Sequence, residues 1–253
     1  MSQSFAQRHA AWKPQIYITE PFAPDFEIRG TTLLIDVLRF SGFIACLGHP
    51  KGLSEVIVTE NFGAMDAIQP YFPGYLRMGE KFAQNVEGLT LRNSPSKAMD
   101  PAVNLWGKSA LMTSSAGAIG LLRALERNVG PVIVGSFFNL NAVLIYLRFY
   151  KPSALTLLAC GNNAQTRAIE DYLCAEYIKS MLLEETPVLS IAEIKAHCTS
   201  DADCSRFFDA EQSDVYPPND FHISFEAHSA AIPEAKLFEI DGHKLARIKY
   251  LGA

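Results

Sequence analysis

Residues 31–47 read TTLLIDVLRFSGFIACL, and this stretch decides the fold of the chain. Its first half, Thr31–Val37, is a nearly continuous apolar run of strand length, which is typical of a strand buried on both faces. Its second half, Phe40–Leu47, has apolar residues at helical spacing. A buried strand that passes directly into a helix is the repeating unit of an α/β protein.

The same alternation continues along the chain. Apolar or β-branched runs predict further strands at Glu55–Thr59, Tyr75–Met78, Ser109–Thr113, Pro131–Ser136 and Ala154–Cys160. Helical spacing with few breakers predicts helices at Phe62–Ile68, Gly117–Arg127, Asn139–Phe149 and Thr166–Leu183. We therefore predict an α/β fold in which a mainly parallel sheet is covered by helices on both faces.

Three regions depart from this alternation. Leu237–Ile240 and Lys244–Tyr250 flank Asp241-Gly242, which predicts a C-terminal β-hairpin whose turn takes positive φ. Residues 79–108 have mixed polarity and no period, so this stretch is either a functional loop or a region whose elements the pattern does not reveal. The acidic stretch Thr199–Pro218 is interpreted as a surface connection or insertion.

Composition excludes several classes of protein. The chain has 253 residues, of which 49% are apolar and 19% charged, so it is not disordered. It carries 22 basic and 27 acidic residues without a basic block, which argues against nucleic acid as a partner. No apolar stretch reaches about 20 residues, and no signal peptide is recognisable, so we expect a cytoplasmic protein without a membrane span.

Cysteine usage and length complete the outline. The five cysteines are scattered and form no C-x-x-C pair, so neither a disulfide framework nor a zinc ribbon is indicated. A chain of this length makes one large domain or two fused lobes. We predict a single unit, residues 1–253, with possible lobes at about 1–130 and 131–253.

Polar residues follow the predicted strands directly. Ligands of parallel α/β sheets bind beyond the carboxyl ends of the strands, so these residues are the candidates for a site. They are Asp36 and Arg39, Gly79-Glu80, Thr113-Ser114-Ser115-Ala116-Gly117 and Cys160-Gly161-Asn162-Asn163, with Glu170-Asp171 further along the next helix.

Each candidate has two interpretations. Asp36 either pairs with Arg39 or joins Glu80 and one of Glu170 and Asp171 as hard oxygen ligands of one Mg²⁺. The hydroxyls and small residues of 113–117 either hold an anion at a helix start or provide an ordinary Ser N-cap. Residues 93–95, Asn-Ser-Pro, are compatible with a simple turn. Possible phosphate-binding cations are Arg39, Lys81, Arg92, Lys97 and Lys108.

Taken in order, these segments resemble the 2-phosphosulfolactate phosphatase (ComB-like) family. The resemblance runs through residues 33–44, 78–97, 113–125, 134–143 and 159–178, and it is fainter at 216–233. It implies a Mg²⁺-dependent hydrolase of phosphate monoesters of 2-hydroxycarboxylic acids, acting on 2-phosphosulfolactate in the route to sulfolactate and coenzyme M. It also implies two closely joined α/β lobes and a homodimer.

The resemblance assigns roles to individual residues. The family's D-V-L-R matches Asp36 and Arg39, which are therefore the predicted catalytic residues. Its G-E, N-S-P and L-E-D motifs match residues 79–80, 93–95 and 169–171. The predicted metal ligands are Asp36, Glu80, Glu170 and Asp171. The predicted contacts to a small anionic substrate are Arg39, Asn93, Ser94, Ser114, Ser115 and Gly117.

The sequence also departs from the family. Aromatic Phe40 and Phe43 stand where the family has a hydroxyl-rich helix start, and Ile119 replaces an Arg. Loss of that Arg removes a charge-assisted contact to an anion that is typically worth roughly 1.5–3 kcal/mol. Two hypotheses follow: an active phosphatase, or a degenerate relative that binds a small anion or assembles without turnover.

Overall fold

The computed structural model describes residues 12–48, 52–80, 86–127 and 129–251. The strands are β1 (Gln15–Thr19), β2 (Thr31–Ile35), β3 (Glu55–Val58), β4 (Leu76–Gly79), β5 (Ser109–Thr113), β6 (Val132–Val134), β7 (Ala154–Ala159), β8 (Ile232–Ile240) and β9 (His243–Leu251). The α-helices are α1 (Phe40–Leu47), α2 (Phe62–Ile68), α3 (Pro95–Ala98), α4 (Gly117–Glu126), α5 (Leu140–Tyr150), α6 (Ile169–Leu182), α7 (Ile191–Thr199) and α8 (Pro218–Ser224).

All nine of these strands belong to one sheet, in the order β1-β7-β2-β6-β8-β9-β3-β5-β4. The strands β1, β7, β2 and β6 are parallel to one another, and so are β3, β5 and β4. The hairpin of β8 and β9 lies between these two blocks and pairs antiparallel with both. The α/β prediction with a mainly parallel sheet is confirmed.

The predicted C-terminal hairpin is also confirmed, including its turn. Asp241 has a φ of 51° and Gly242 a φ of 75°, which is the left-handed conformation that an Asp-Gly turn provides. The hairpin lies inside the sheet, however, where it joins the two parallel blocks. The division into lobes near residue 130 stays a prediction.

The hairpin makes the two parallel blocks run in opposite senses. Three antiparallel steps separate β6 from β3, so the strand ends of one block do not share an edge with those of the other. Sheet twist of about 20–25° per strand accumulates to about 100–125° between β2 and β5. The two sets of strands therefore cross rather than oppose, and loops from both blocks can meet.

Helices cover both faces of the sheet, as predicted. Leu34 points to a core shared with α1 and α4, whereas its neighbours Leu33 and Ile35 point to a second core shared with α5 and α6. Ile57 and Leu111 face a third cluster beneath α2. No helix among the residues described is both long and apolar enough to span a bilayer.

Several elements were not predicted from the sequence. They are β1, α3, α7 and α8, together with 3₁₀ helices at Ser205–Phe208 and Ala210–Gln212. The short helix α3 lies within the stretch 79–108, which supports the interpretation that its pattern concealed elements. The interpretation of Thr199–Pro218 as a surface connection is wrong in part, because Phe207 in this segment is fully buried.

Candidate functional site

A cavity of about 310 Å³ lies where loops from the two blocks of the sheet meet. It is lined by the segments that follow β2, β4, β5 and β7, by the start of α6 and by the segment 199–218. The lining residues are Asp36, Leu38, Glu80, Ser114, Ser115, Ala116, Gly161, Asn162, Asn163, Glu170, Asp171, Asp203, Arg206, Gln212 and Tyr216. The structure thus brings together Asp36, Glu80, Ser114, Ser115, Glu170 and Asp171 from the predicted set.

Asp36 lies at the N-termini of two helices. Its carboxylate accepts hydrogen bonds from the first backbone N–H of α1, Phe40 N at 3.1 Å, and from the first of α4, Gly117 N. The N-cap of α4 is Ala116, which has no side-chain cap. The ordinary Ser N-cap considered for 114–115 is therefore absent, and Asp36 satisfies a helix-start donor from another part of the chain.

Close packing of Phe40 against Gly117 brings these two helix starts together. A Cβ atom built at Gly117 would lie 2.2 Å from Cγ of Phe40, so only glycine fits there. Phe40 and Phe43 are fully buried in the core beneath α1 and α4. The aromatic departures from the family pattern are thus core packing and do not line the cavity.

This contact leads to a stability prediction. We expect Gly117→Ala to lower the free energy of unfolding by about 1–3 kcal/mol, because the added methyl group forces α4 away from α1. The matched control is Gly42→Ala within α1, where the nearest atoms to a new Cβ lie at 3.6 Å. Urea denaturation should show the control to be neutral or slightly stabilised. Equal stability of both variants would contradict the prediction.

Asp171 connects the ends of β2 and β7. Its Oδ1 accepts from Val37 N at 2.7 Å, and its Oδ2 accepts from Gly161 N at 2.9 Å. Both carboxylate oxygens are thus engaged by backbone donors. Glu170 beside it differs, because its buried Oε2 has no hydrogen-bond partner among the described residues. Of these two neighbours, Glu170 is the one whose oxygen is available to a ligand.

The buried carboxyl groups are held away from their ordinary ionisation. Burial raises the pKa of Asp36 to about 7, helped by nearby Glu80 and opposed by the N–H of Phe40 and by Arg206. Burial likewise raises the pKa of Glu170 to about 7, and that of Asp171 well above its usual range. Such a group of desolvated carboxyls favours a cation.

The donor set fits Mg²⁺ held by two carboxylates. Among the residues described, no group of three or more His, Cys, Asp or Glu side chains is arranged to hold a metal ion. Mg²⁺, however, usually takes only one or two carboxylates and completes its shell with waters and a substrate phosphate. Asp36 and the orphaned oxygen of Glu170 meet that requirement. Binding by the full predicted set of four carboxylates stays a prediction.

Arg39 does not line the cavity. Its guanidinium is 1% exposed and donates to Glu80 Oε2 at 2.6 Å, Asp220 Oδ2 at 2.7 Å and Val215 O at 2.9 Å. It also packs over the ring of Tyr216. The predicted ion pair between Asp36 and Arg39 is not among the contacts of this side chain, which instead orients Glu80 at the cavity wall.

The predicted substrate contacts at 93–94 also lie outside the cavity wall. Ser94 is the N-cap of α3, where its Oγ accepts from Lys97 N, and it donates to Asp220 Oδ1 at 2.9 Å. Asn93 is 1% exposed, and neither atom of its amide has a hydrogen-bond partner in the described structure. Lys81, a candidate phosphate-binding cation, lies outside the described residues.

Sequence reasoning missed the contribution of the segment 199–218. Asp203, Arg206, Gln212 and Tyr216 all line the cavity, although no predicted strand precedes them. Asp220, which is fully buried, anchors Arg39 from α8. The one local signal was an arginine next to two phenylalanines, Arg206-Phe207-Phe208, which is compatible with a guanidinium stacked on aromatic rings.

Comparisons with known proteins agree with the resemblance seen in the sequence. A family profile described as 2-phosphosulpholactate phosphatase matches residues 17–209. A probable 2-phosphosulfolactate phosphatase of Bacillus subtilis is 24% identical over 180 residues, covering 71% of this chain and 75% of the relative. Proteins of the same name from Thermotoga maritima and Synechocystis are 32% and 29% identical, over 60% and 67% of this chain and 62% and 69% of their own lengths.

Proposed function

The chain belongs to the 2-phosphosulpholactate phosphatase family, and from this premise we propose that it is a Mg²⁺-dependent phosphatase of small 2-hydroxycarboxylic acid phosphates. One observation carries the proposal: Asp36, Glu80 and Glu170 line a single cavity of about 310 Å³ together with the loop of Ser114 and Ser115. A cavity of that size accommodates a small phosphorylated acid. The family's named substrate, 2-phosphosulfolactate, is the first candidate.

The chain's own residues would divide the work as follows. Asp36 and Glu170 would hold Mg²⁺, which would withdraw charge from a phosphate oxygen. Asp171 keeps the ends of β2 and β7 in place, and the hydroxyls of Ser114 and Ser115 would donate to phosphate oxygens. Two routes for attack on phosphorus are compatible with this arrangement: water as the nucleophile, or the Asp36 carboxylate itself.

The alternative is a degenerate relative without turnover. It was motivated by the aromatic helix start at Phe40 and by Ile119 in place of an Arg. Phe40 is buried in the core, and Ile119 does not line the cavity among the residues described. Neither departure blocks the cavity, so the geometry favours the enzyme.

A substrate panel with and without metal tests the proposal. We expect phosphate release from phosphosulfolactate, phospholactate or phosphoglycolate in the presence of Mg²⁺. Excess EDTA should reduce the rate more than tenfold, because the desolvated carboxyls of Asp36 and Glu170 then lack their cation. Added Mg²⁺ should restore it. Folded protein that releases no phosphate from any of these compounds would support the degenerate relative.

The proposal includes three further points that follow from the family resemblance. They are a homodimer, a cytoplasmic location and a place in the route to sulfolactate and coenzyme M. Light scattering on the purified protein measures the first, and fractionation of the source cells measures the second. Identification of 2-phosphosulfolactate as the preferred member of the panel would support the third.

A further inference from the structure

Arg206 is the only Lys or Arg that lines the cavity within the described part of the chain. It belongs to the 3₁₀ helix Ser205–Phe208, inside the segment that the sequence left uninterpreted. The carbon of its guanidinium lies 5.6 Å from the ring centroid of Phe207 and 5.2 Å from that of Tyr216. These two rings restrict the guanidinium without occupying its N–H groups.

The hydrogen-bonding capacity of Arg206 is not used within the chain. Its Nε is buried and has no hydrogen-bond partner among the described residues. It nevertheless lies near enough to Asp36 and Glu170 to lower the pKa of both carboxyls. Since a buried donor without an acceptor is costly, this N–H is suited to an acceptor that arrives from outside.

Arg39 is in the opposite state. Both of its terminal nitrogens are engaged, by Glu80 on one side and by Asp220 and a backbone carbonyl on the other. A guanidinium bound in this way has little capacity left for an anion. The two arginines therefore have different tasks: one organises the wall, and the other faces the space.

We propose that Arg206, and not Arg39, is the cation that binds the phosphoryl group of the substrate. The inference rests on the proposed phosphatase function and assigns a residue to it. The Nε–H and the adjacent terminal N–H form a fork that matches two phosphoryl oxygens. Arg206 stands beside the two carboxylates proposed to hold Mg²⁺, so it neutralises the charge that develops on those oxygens during transfer.

Binding of inorganic phosphate to the Mg²⁺-loaded protein tests the proposal without turnover. We expect Arg206→Ala to weaken phosphate binding at least about tenfold in calorimetry and to lower kcat/KM about a hundredfold to a thousandfold. Arg206→Lys should recover part of the binding, because it keeps the charge and loses the fork. The matched control is Arg127→Ala, which removes an exposed arginine stacked on Phe26 outside the cavity.

The outcomes separate this inference from the function on which it rests. Unchanged phosphate binding and unchanged kcat/KM in a folded Arg206→Ala protein would overturn it, while the phosphatase function would stand. A loss confined to substrates with a second acid group would also overturn it, because Arg206 would then bind that group. Weakened phosphate binding in the variant supports the inference even if no substrate of the panel is hydrolysed.

Discussion

Replacement of Asp36 by Asn is expected to lower kcat/KM about a thousandfold or more in a protein that remains folded. Asparagine keeps an oxygen that accepts from Phe40 N and Gly117 N, so the junction of α1 and α4 is preserved. It removes the charge, however, and with it the affinity for a cation. Removal of Asp36 also removes one of the two candidates for the attacking group.

The same substitution should stabilise the metal-free protein at neutral and alkaline pH. Folded Asp36 has a pKa of about 7, against an ordinary value of 3.8. The unfolded chain thus releases this proton at lower pH than the folded one, and stability falls as the pH rises from about 4 to about 7, then levels off. Asparagine does not ionise, so the variant escapes this fall, by about 2–4 kcal/mol above pH 7.

Thermal unfolding in EDTA at pH 5 and pH 8 measures this effect, alongside phosphate release with Mg²⁺. The melting temperature of Asp36→Asn should exceed that of the wild type more at pH 8 than at pH 5. Asp66→Asn, which changes an exposed carboxylate paired with Arg77, serves as the control for both measurements. An Asp36→Asn protein with wild-type turnover would show that Asp36 has no role in the reaction.

The second large effect concerns the buried pair of Arg39 and Asp220. Asp220 is 0% exposed and has one basic partner, so Arg39→Met leaves an uncompensated charge in the core. Breaking a buried ion pair in this way costs about 3–5 kcal/mol of unfolding free energy. Glu80 suffers less, because 13% of its side chain is exposed to solvent.

A double-mutant cycle identifies the cause of this loss. Arg39→Met combined with Asp220→Asn removes both charges and should recover at least half of the stability lost by Arg39→Met alone. Arg77→Met, which breaks an exposed pair with Asp66, should cost less than about 1 kcal/mol. Additive losses in chemical denaturation would mean that Arg39 contributes through packing on Tyr216 and not through charge.

Strand-end reasoning located half of the site because it depends on local sequence alone. Asp36, Glu80 and Ser114 each follow an apolar strand, and a polar residue at that point is visible without knowledge of the fold. The argument that one edge of a parallel sheet would gather them was incomplete. The sheet contains two opposed blocks, and the loops meet because the blocks are rotated by twist.

The remaining half depends on contacts between residues far apart in the chain. Arg39 and Asp220 are 181 positions apart, and no periodicity relates them. Arg206 lies on a 3₁₀ helix, which has neither the 3.6-residue period of an α-helix nor the alternation of a strand. The direction in which Arg39 points was likewise not readable, because Glu80, Asp36 and Asp220 were all possible partners until their positions were known.

The placement of β8 and β9 inside the sheet has a consequence for biosynthesis. These strands follow the other seven in the chain, yet they supply the hydrogen bonds that join β6 to β3. While the ribosome is still translating the hairpin, each parallel block carries a strand with an unsatisfied edge, which is a template for intermolecular pairing. The nascent chain therefore depends on prompt arrival of residues 232–251, or on a chaperone that shields β6 and β3 until then.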